Sequence, residues 1–102
     1  MSVMQIGKNN FDIINNSSET VLLDFHSDRC GPCRMLSPII DEIATERDDI
    51  TVGKINVDSE TEIASEFKVV SIPTLIVIRD GKVINRAVGI RPKRQILKLL
   101  EN

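Results

Sequence analysis

Apolar positions along this chain follow two periods. Thr20–His26 carries Val21, Leu22, Leu23 and Phe25 in a β-prone run, the pattern of a buried strand. Leu36, Ile39, Ile40, Ile43 and Ala44 then recur at i, i+3, i+4, i+7 and i+8, one buried stripe of a helix. Pro38 lies inside that stripe, removes one backbone donor and is expected to kink the helix. Ile50–Val57 alternates and predicts a strand. Ser59 followed by Glu62 predicts a capping box that opens a helix through about Phe67. Thr74–Ile78 is another apolar β run. Asp80-Gly81 is a hairpin-turn pair, which makes Lys82–Val88 its antiparallel partner. Gly89 breaks that strand. Pro92 suits the first turn of a final helix reaching about Glu101, with Ile96, Leu99 and Leu100 on its buried face. Val3–Ile6 reads as a short strand. Asn10–Asn16 reads as a short helix, with Phe11 and Ile14 at helical spacing.

The predicted order is therefore β-α-β-α-β-α-β-β-α. Strands alternating with helices imply a parallel sheet with right-handed crossovers, and the terminal hairpin adds an antiparallel portion. At 102 residues, the chain is expected to be one domain, 1–102. Hydrophobic residues make up 41% and charged residues 27%, a balance that fits a soluble globular domain and excludes disorder. No apolar run reaches the length of a membrane span. Met1–Asn10 lacks the basic start and apolar core of a signal peptide, so a cytoplasmic address is expected.

The net charge of −2 conceals an asymmetry, because the first half is acidic and the second basic. The densest basic run is Arg91, Lys93, Arg94 and Lys98, read as a solvated helix face. With three aromatics, no Trp and no Tyr, the chain offers no stacking platform for nucleic acid.

Cys30 and Cys33 are the two cysteines, and they form a single C-x-x-C just after the second strand, where the next helix begins. A helix start presents unpaired N–H groups and a positive dipole end, which favour a thiolate at Cys30. Cys33 lies one turn further in, less exposed and within reach. This makes Cys30 the nucleophile and Cys33 the resolving thiol. Pro32 fixes the backbone between them. Two other uses of the pair compete. A structural staple across so short a loop stabilises by only about 2 kcal/mol. A zinc site wants four ligands, against two Cys and one His here. No metal and no cofactor are expected.

The run Val21-Leu22-Leu23-Asp24-Phe25 leading to Cys30-Gly31-Pro32-Cys33-Arg34-Met35 resembles the active-site signature of the thioredoxin family. Pro38–Ala44, Lys54-Ile55-Asn56-Val57-Asp58, Ser71-Ile72-Pro73-Thr74-Leu75 and Val88-Gly89 are also similar, in the right order and spacing. The resemblance implies an α/β thioredoxin fold, with a five-stranded mixed sheet flanked by four helices. It implies a monomeric dithiol carrier that reduces disulfide-containing protein substrates and is recharged by a thioredoxin reductase. Cys30 would form a mixed disulfide and Cys33 would release the product, leaving a Cys30–Cys33 redox disulfide. Asp24 resembles the family's buried carboxylate, which relays a proton for Cys33, and Lys54 a lysine beside it. An acid inside the apolar run Val21–Phe25 is itself notable, because burial raises a carboxyl pKa. Pro73 resembles the family's cis-proline. Ile72 would pair its backbone with an extended substrate. Arg29, Gly31, Pro32, Val88 and Gly89 would complete the substrate-binding rim.

Two positions depart from the pattern. The family usually has Trp before the first Cys, where this chain has Arg29. It usually has an aromatic after the Asp-Phe pair, where this chain has His26. A hydrogen-bonded or surface histidine is the expectation there, with a second acid–base group as the alternative. Two rival functions stay open. One is a redox-sensing module dedicated to a single partner, which insulin reduction would separate from a general reductase. The other is a disulfide oxidase or isomerase, which a reduction potential would separate.

Overall fold

The computed structural model describes residues 3–101. Its elements run β1 (Met4–Gln5), α1 (Asp12–Asn16), β2 (Thr20–His26), α2 (Gly31–Glu46), β3 (Ile50–Asn56), α3 (Thr61–Glu66), β4 (Thr74–Arg79), β5 (Lys82–Val88) and α4 (Lys93–Leu100). They build one five-stranded sheet in the order β1-β3-β2-β4-β5. β1, β3 and β2 are parallel, while β4 runs antiparallel to both β2 and β5. The family's mixed sheet and four helices are present as the resemblance implied.

Side chains alternate across each strand, and this sorts the core into two layers. Leu22, Val52, Leu75 and Val77 pack with Leu36, Ile40, Ile43 and Ala44 of α2 and with Ile96 and Leu100 of α4. Val21, Leu23, Phe25, Ile55, Ile76 and Ile78 form the other layer, with Ile14 of α1 and Ile63 of α3. The Phe67 ring closes that layer against Phe25 and Phe11, at centroid distances of 5.6 and 6.0 Å. β2 and β4 are buried on both faces because helices cover both, which is why their apolar runs barely alternate.

The structure departs from several of the expected elements: β1 and α1 are shorter than Val3–Ile6 and Asn10–Asn16, and β3 ends at Asn56. Ser59 and Glu62 form no capping box. α3 starts at Thr61 behind Glu60 with no side-chain cap, and Ser59 Oγ turns back to donate to the Asn56 carbonyl. Pro92 precedes α4 as its cap residue, with extended ψ, rather than opening the first turn. Leu99 is half-buried, and the fully buried residues of α4 are Ile96 and Leu100. α2 remains one 16-residue helix across Pro38. Asp80 and Gly81 both hold positive φ, 54° and 76°, as a two-residue hairpin turn requires.

Candidate active site

Strand ends determine where the chemistry collects. Phe25 of β2 stands opposite Thr74 of β4, and Thr74 also stands opposite Val88 of β5. The residues just beyond these pairs therefore meet at one edge of the sheet: the segment leading to Cys30, the Ile72–Pro73 dipeptide and Gly89. The Ile72–Pro73 bond is cis. The Gly89 amide donates to the Pro73 carbonyl at 2.8 Å and ties the two loops together. Gly89 has φ of 93°, a conformation that only glycine adopts without cost. Val88 and Ile90 on either side of it are exposed.

The turn between β2 and α2 is pinned at several points. Ser27 Oγ donates to Asp58 Oδ2 at 2.6 Å, and the Arg34 guanidinium donates twice to the Asp28 carbonyl. The Cys30 amide donates to the Ser27 carbonyl at 3.3 Å. These bonds deliver Cys30 to the N-cap of α2, with Pro32 in the first turn. Cys30 Sγ accepts the Cys33 amide at 3.2 Å, so its sulfur does the work that a Ser or Asp oxygen does at most helix starts. The two cysteines are joined by a disulfide with Cα atoms 5.2 Å apart. Cys33 is 4% exposed, whereas Cys30 is only partly buried. Of the other residues expected at the rim, Arg29, Gly31 and Pro32 are exposed around Cys30, Ile72 is half-buried and Pro73 is buried.

Behind the cysteines lies a cavity of about 220 Å³ lined by Asp24, His26, Ser27, Asp28, Cys33, Arg34, Ser37 and Lys54. A larger cleft, beside Phe11 and α3, is lined by Lys8, Glu60, Glu62 and Glu66 and by neither cysteine. Asp24 is 1% exposed, and its Oδ1 has no hydrogen-bond partner. Burial lifts its pKa to about 6; the Lys54 charge opposes that rise and Asp41 adds to it. His26 is pushed below the ordinary imidazole value, first by burial and then by Lys54, with Asp28 and Asp58 acting the other way.

Ser37 and Asp41 are site residues that the sequence reading passed over. Lys54 hydrogen-bonds Ser37 Oγ and pairs with Asp41 Oδ1 at 3.5 Å, so it engages α2 and reaches Asp24 only through its charge. The signal was available. Cys33, Ser37 and Asp41 recur every four residues, a polar stripe beside the buried face of α2.

A partly exposed sulfur at a helix start, disulfide-bonded to a buried sulfur one turn on and backed by a buried carboxyl group, fits a thiol–disulfide oxidoreductase of the dithiol-carrier type. The comparisons name the family. A thioredoxin model matches residues 2–102. A thioredoxin from Mycobacterium tuberculosis strain H37Rv is 48% identical over 88 residues, 85% of this chain and 76% of that protein. One from Chlamydia pneumoniae is 43% identical over 95 residues, 93% of this chain and 92% of that protein. A bifunctional thioredoxin reductase/thioredoxin of Mycobacterium leprae is 43% identical over 93 residues, 90% of this chain and 20% of that protein. The chain belongs to the thioredoxin family and acts as a protein-disulfide reductase.

Proposed function

We propose that Cys30 and Cys33 divide the reduction into two displacements. The Cys30 thiolate attacks one sulfur of a substrate disulfide, forms a mixed disulfide and expels the other sulfur as a thiolate. Cys33 gives its proton to the Asp24 carboxylate, attacks Cys30 Sγ and expels the second substrate sulfur. Two electrons pass from the dithiol to the substrate, and the Cys30–Cys33 disulfide remains. The observation that carries this reading is the contrast in access: Cys30 sits at the helix cap facing solvent, and Cys33 is 4% exposed beside the cavity that holds Asp24. Lys54 tempers the Asp24 carboxyl from a distance while anchoring α2.

Arg29, Gly31, Pro32, Ile72, Pro73, Val88 and Gly89 form the binding rim, with Ile72 pairing its backbone to an extended substrate segment. A thioredoxin reductase recharges the disulfide; the Mycobacterium leprae relative carries both proteins' names in one chain. The chain works as one domain, 1–102, and as a monomer. The free edge strand β5 carries Lys82 and Arg86, and the β4–β5 pairing has a register shift at Val77/Ile78; charge and irregularity both discourage edge pairing. A cytoplasmic address suits a pair that must return to the dithiol. Among the described residues, no helix is long and apolar enough to cross a membrane.

The test is a pair of serine variants incubated with a disulfide protein such as insulin. Cys30→Ser is expected to abolish both adduct and turnover. Cys33→Ser is expected to accumulate a covalent adduct on Cys30 that a reductant releases. Normal turnover by the Cys33 variant would reverse the assignment.

A further inference from the structure

Among the described residues, three buried side-chain polar atoms have no hydrogen-bond partner: Asp24 Oδ1, His26 Nε2 and Arg91 Nε. Two of the three belong to one cavity, which Cys33 also lines. The coincidence follows from the strand. Asp24 and His26 are two residues apart on β2, so both face α2, with Cα atoms about 6 to 7 Å apart. Neither side chain bonds the other, and each leaves a polar atom without a partner. A cavity of about 220 Å³ with several polar walls has room for a bridging water.

We propose that His26 is a positioning residue for the resolving step, linked through cavity water to the Asp24 carboxyl and carrying its proton out to solvent. The inference rests on the reading that Asp24 takes the Cys33 proton. The sequence then balances. The Cys33 S–H bond breaks and an Asp24 O–H bond forms. The Cys33–Cys30 bond forms as the Cys30–substrate bond breaks, and the leaving thiolate takes its proton from solvent. Asp24 passes the Cys33 proton on before Cys33 attacks, because a proton left on the carboxyl can return to the sulfur. Asp24 itself is 1% exposed, whereas His26 lines the same cavity and is partly exposed. During recharging, the same path runs inward and returns a proton to Cys33.

The surrounding charges suit this role. Lys54 from β3 opposes protonation of His26, Asp28 and Asp58 from the flanking loops favour it, and Arg34, Ser37 and Asp41 come from α2. Burial lowers the imidazole and raises the carboxyl, which brings the two proton affinities together. Shifts in these directions favour exchange of a proton between the two groups.

The experiment mixes reduced protein with excess oxidised glutathione, quenches with acid and weighs the products. The fraction caught as the Cys30–glutathione adduct reports the resolving step. His26→Phe and His26→Gln are expected to raise that fraction roughly three- to ten-fold near pH 7 in dilute buffer, a loss of about 0.7 to 1.4 kcal/mol of barrier lowering. Added imidazole is expected to restore the wild-type fraction. Two folded variants with unchanged adduct fractions would overturn the proposal, as would a raised fraction that imidazole leaves unmoved. Asp24→Asn, run beside them, separates the two levels. If it fails to raise the adduct, the reading of Asp24 falls. If it raises the adduct while both His26 variants do not, only the His26 path falls.

Discussion

Asp24 and Lys54 stand directly opposite one another where β2 pairs with β3, yet the ammonium group bonds to Ser37 and Asp41 and not to the carboxylate beside it. The acid is thereby left buried with no direct bond to the ammonium. A group so placed holds its proton more tightly when folded than when unfolded. Its contribution to stability is complete below its ordinary pKa of 3.8 and is lost as the pH rises through about 6.

Replacing Asp24 by Asn is therefore expected to stabilise the fold, and only above that window. A shift of about two units corresponds to about 2 to 3 kcal/mol at pH 7.5 and to almost nothing at pH 4. Urea unfolding at the two pH values measures the difference. Equal effects at both would show that the carboxyl is not the destabilising group.

Lys54→Gln tests the same relationship from the other side. Its positive charge lowers both Asp24 and His26, so its removal is expected to move both pKa values upward. Asp41, freed of its partner, adds to the rise at Asp24. Carbon-detected NMR titration of the two side chains follows them separately. An unmoved Asp24 would mean that solvent already screens Lys54.

Much of this arrangement was legible in the sequence. The C-x-x-C, the acid inside Val21–Phe25 and the hairpin at Asp80-Gly81 each carry a local signal strong enough to place them. What escaped was non-local. Nothing in the sequence near Lys54 says that its charge is taken up by α2, because that depends on the β2–β3 register and on how the helix is seated. Nor does anything local to Ser27 mark it as the donor that anchors Asp58. The apparent capping box at Ser59 failed because the helix starts one residue later, behind Glu60, and the Ser59 hydroxyl donates to the Asn56 carbonyl, a choice among turn bonds that a four-residue motif does not encode.

Gly53 is the position where backbone approach is tightest. A Cβ there would overlap Ile6 Cδ1 and come within 3.0 Å of Ile6 Cγ1. Ile6 is 1% exposed and has little freedom to retreat. Gly53→Ala is expected to cost about 1 to 3 kcal/mol, through displacement of β1 and its anchor. Chemical denaturation gives the value, and a change below about 0.5 kcal/mol would show that Ile6 finds another rotamer.

Arg29 is exposed beside the nucleophile, where the family usually has Trp. Arg29→Trp is expected to leave stability within about 0.5 kcal/mol, as for most surface changes. It is expected to lower KM for apolar disulfide peptides and to weaken the dependence of rate on ionic strength. Steady-state rates at two salt concentrations decide this. Identical salt dependence in both proteins would make the guanidinium a bystander.

The hydrogen bond from Gly89 to Pro73 joins the two outer lips of the site, and both lips belong to the β4–β5 hairpin rather than to the helix that carries the sulfurs. Part of the proposed binding rim is thus carried on a piece of chain separate from the sulfurs. If the proposed rim is right, exchanging the exposed Val88 is expected to change which proteins dock without disturbing the cap that holds Cys30. A lineage could acquire new clients by drift in the hairpin while its electron-donating power stayed constant. Engineers could graft a binding preference onto the same reactive pair by the same route.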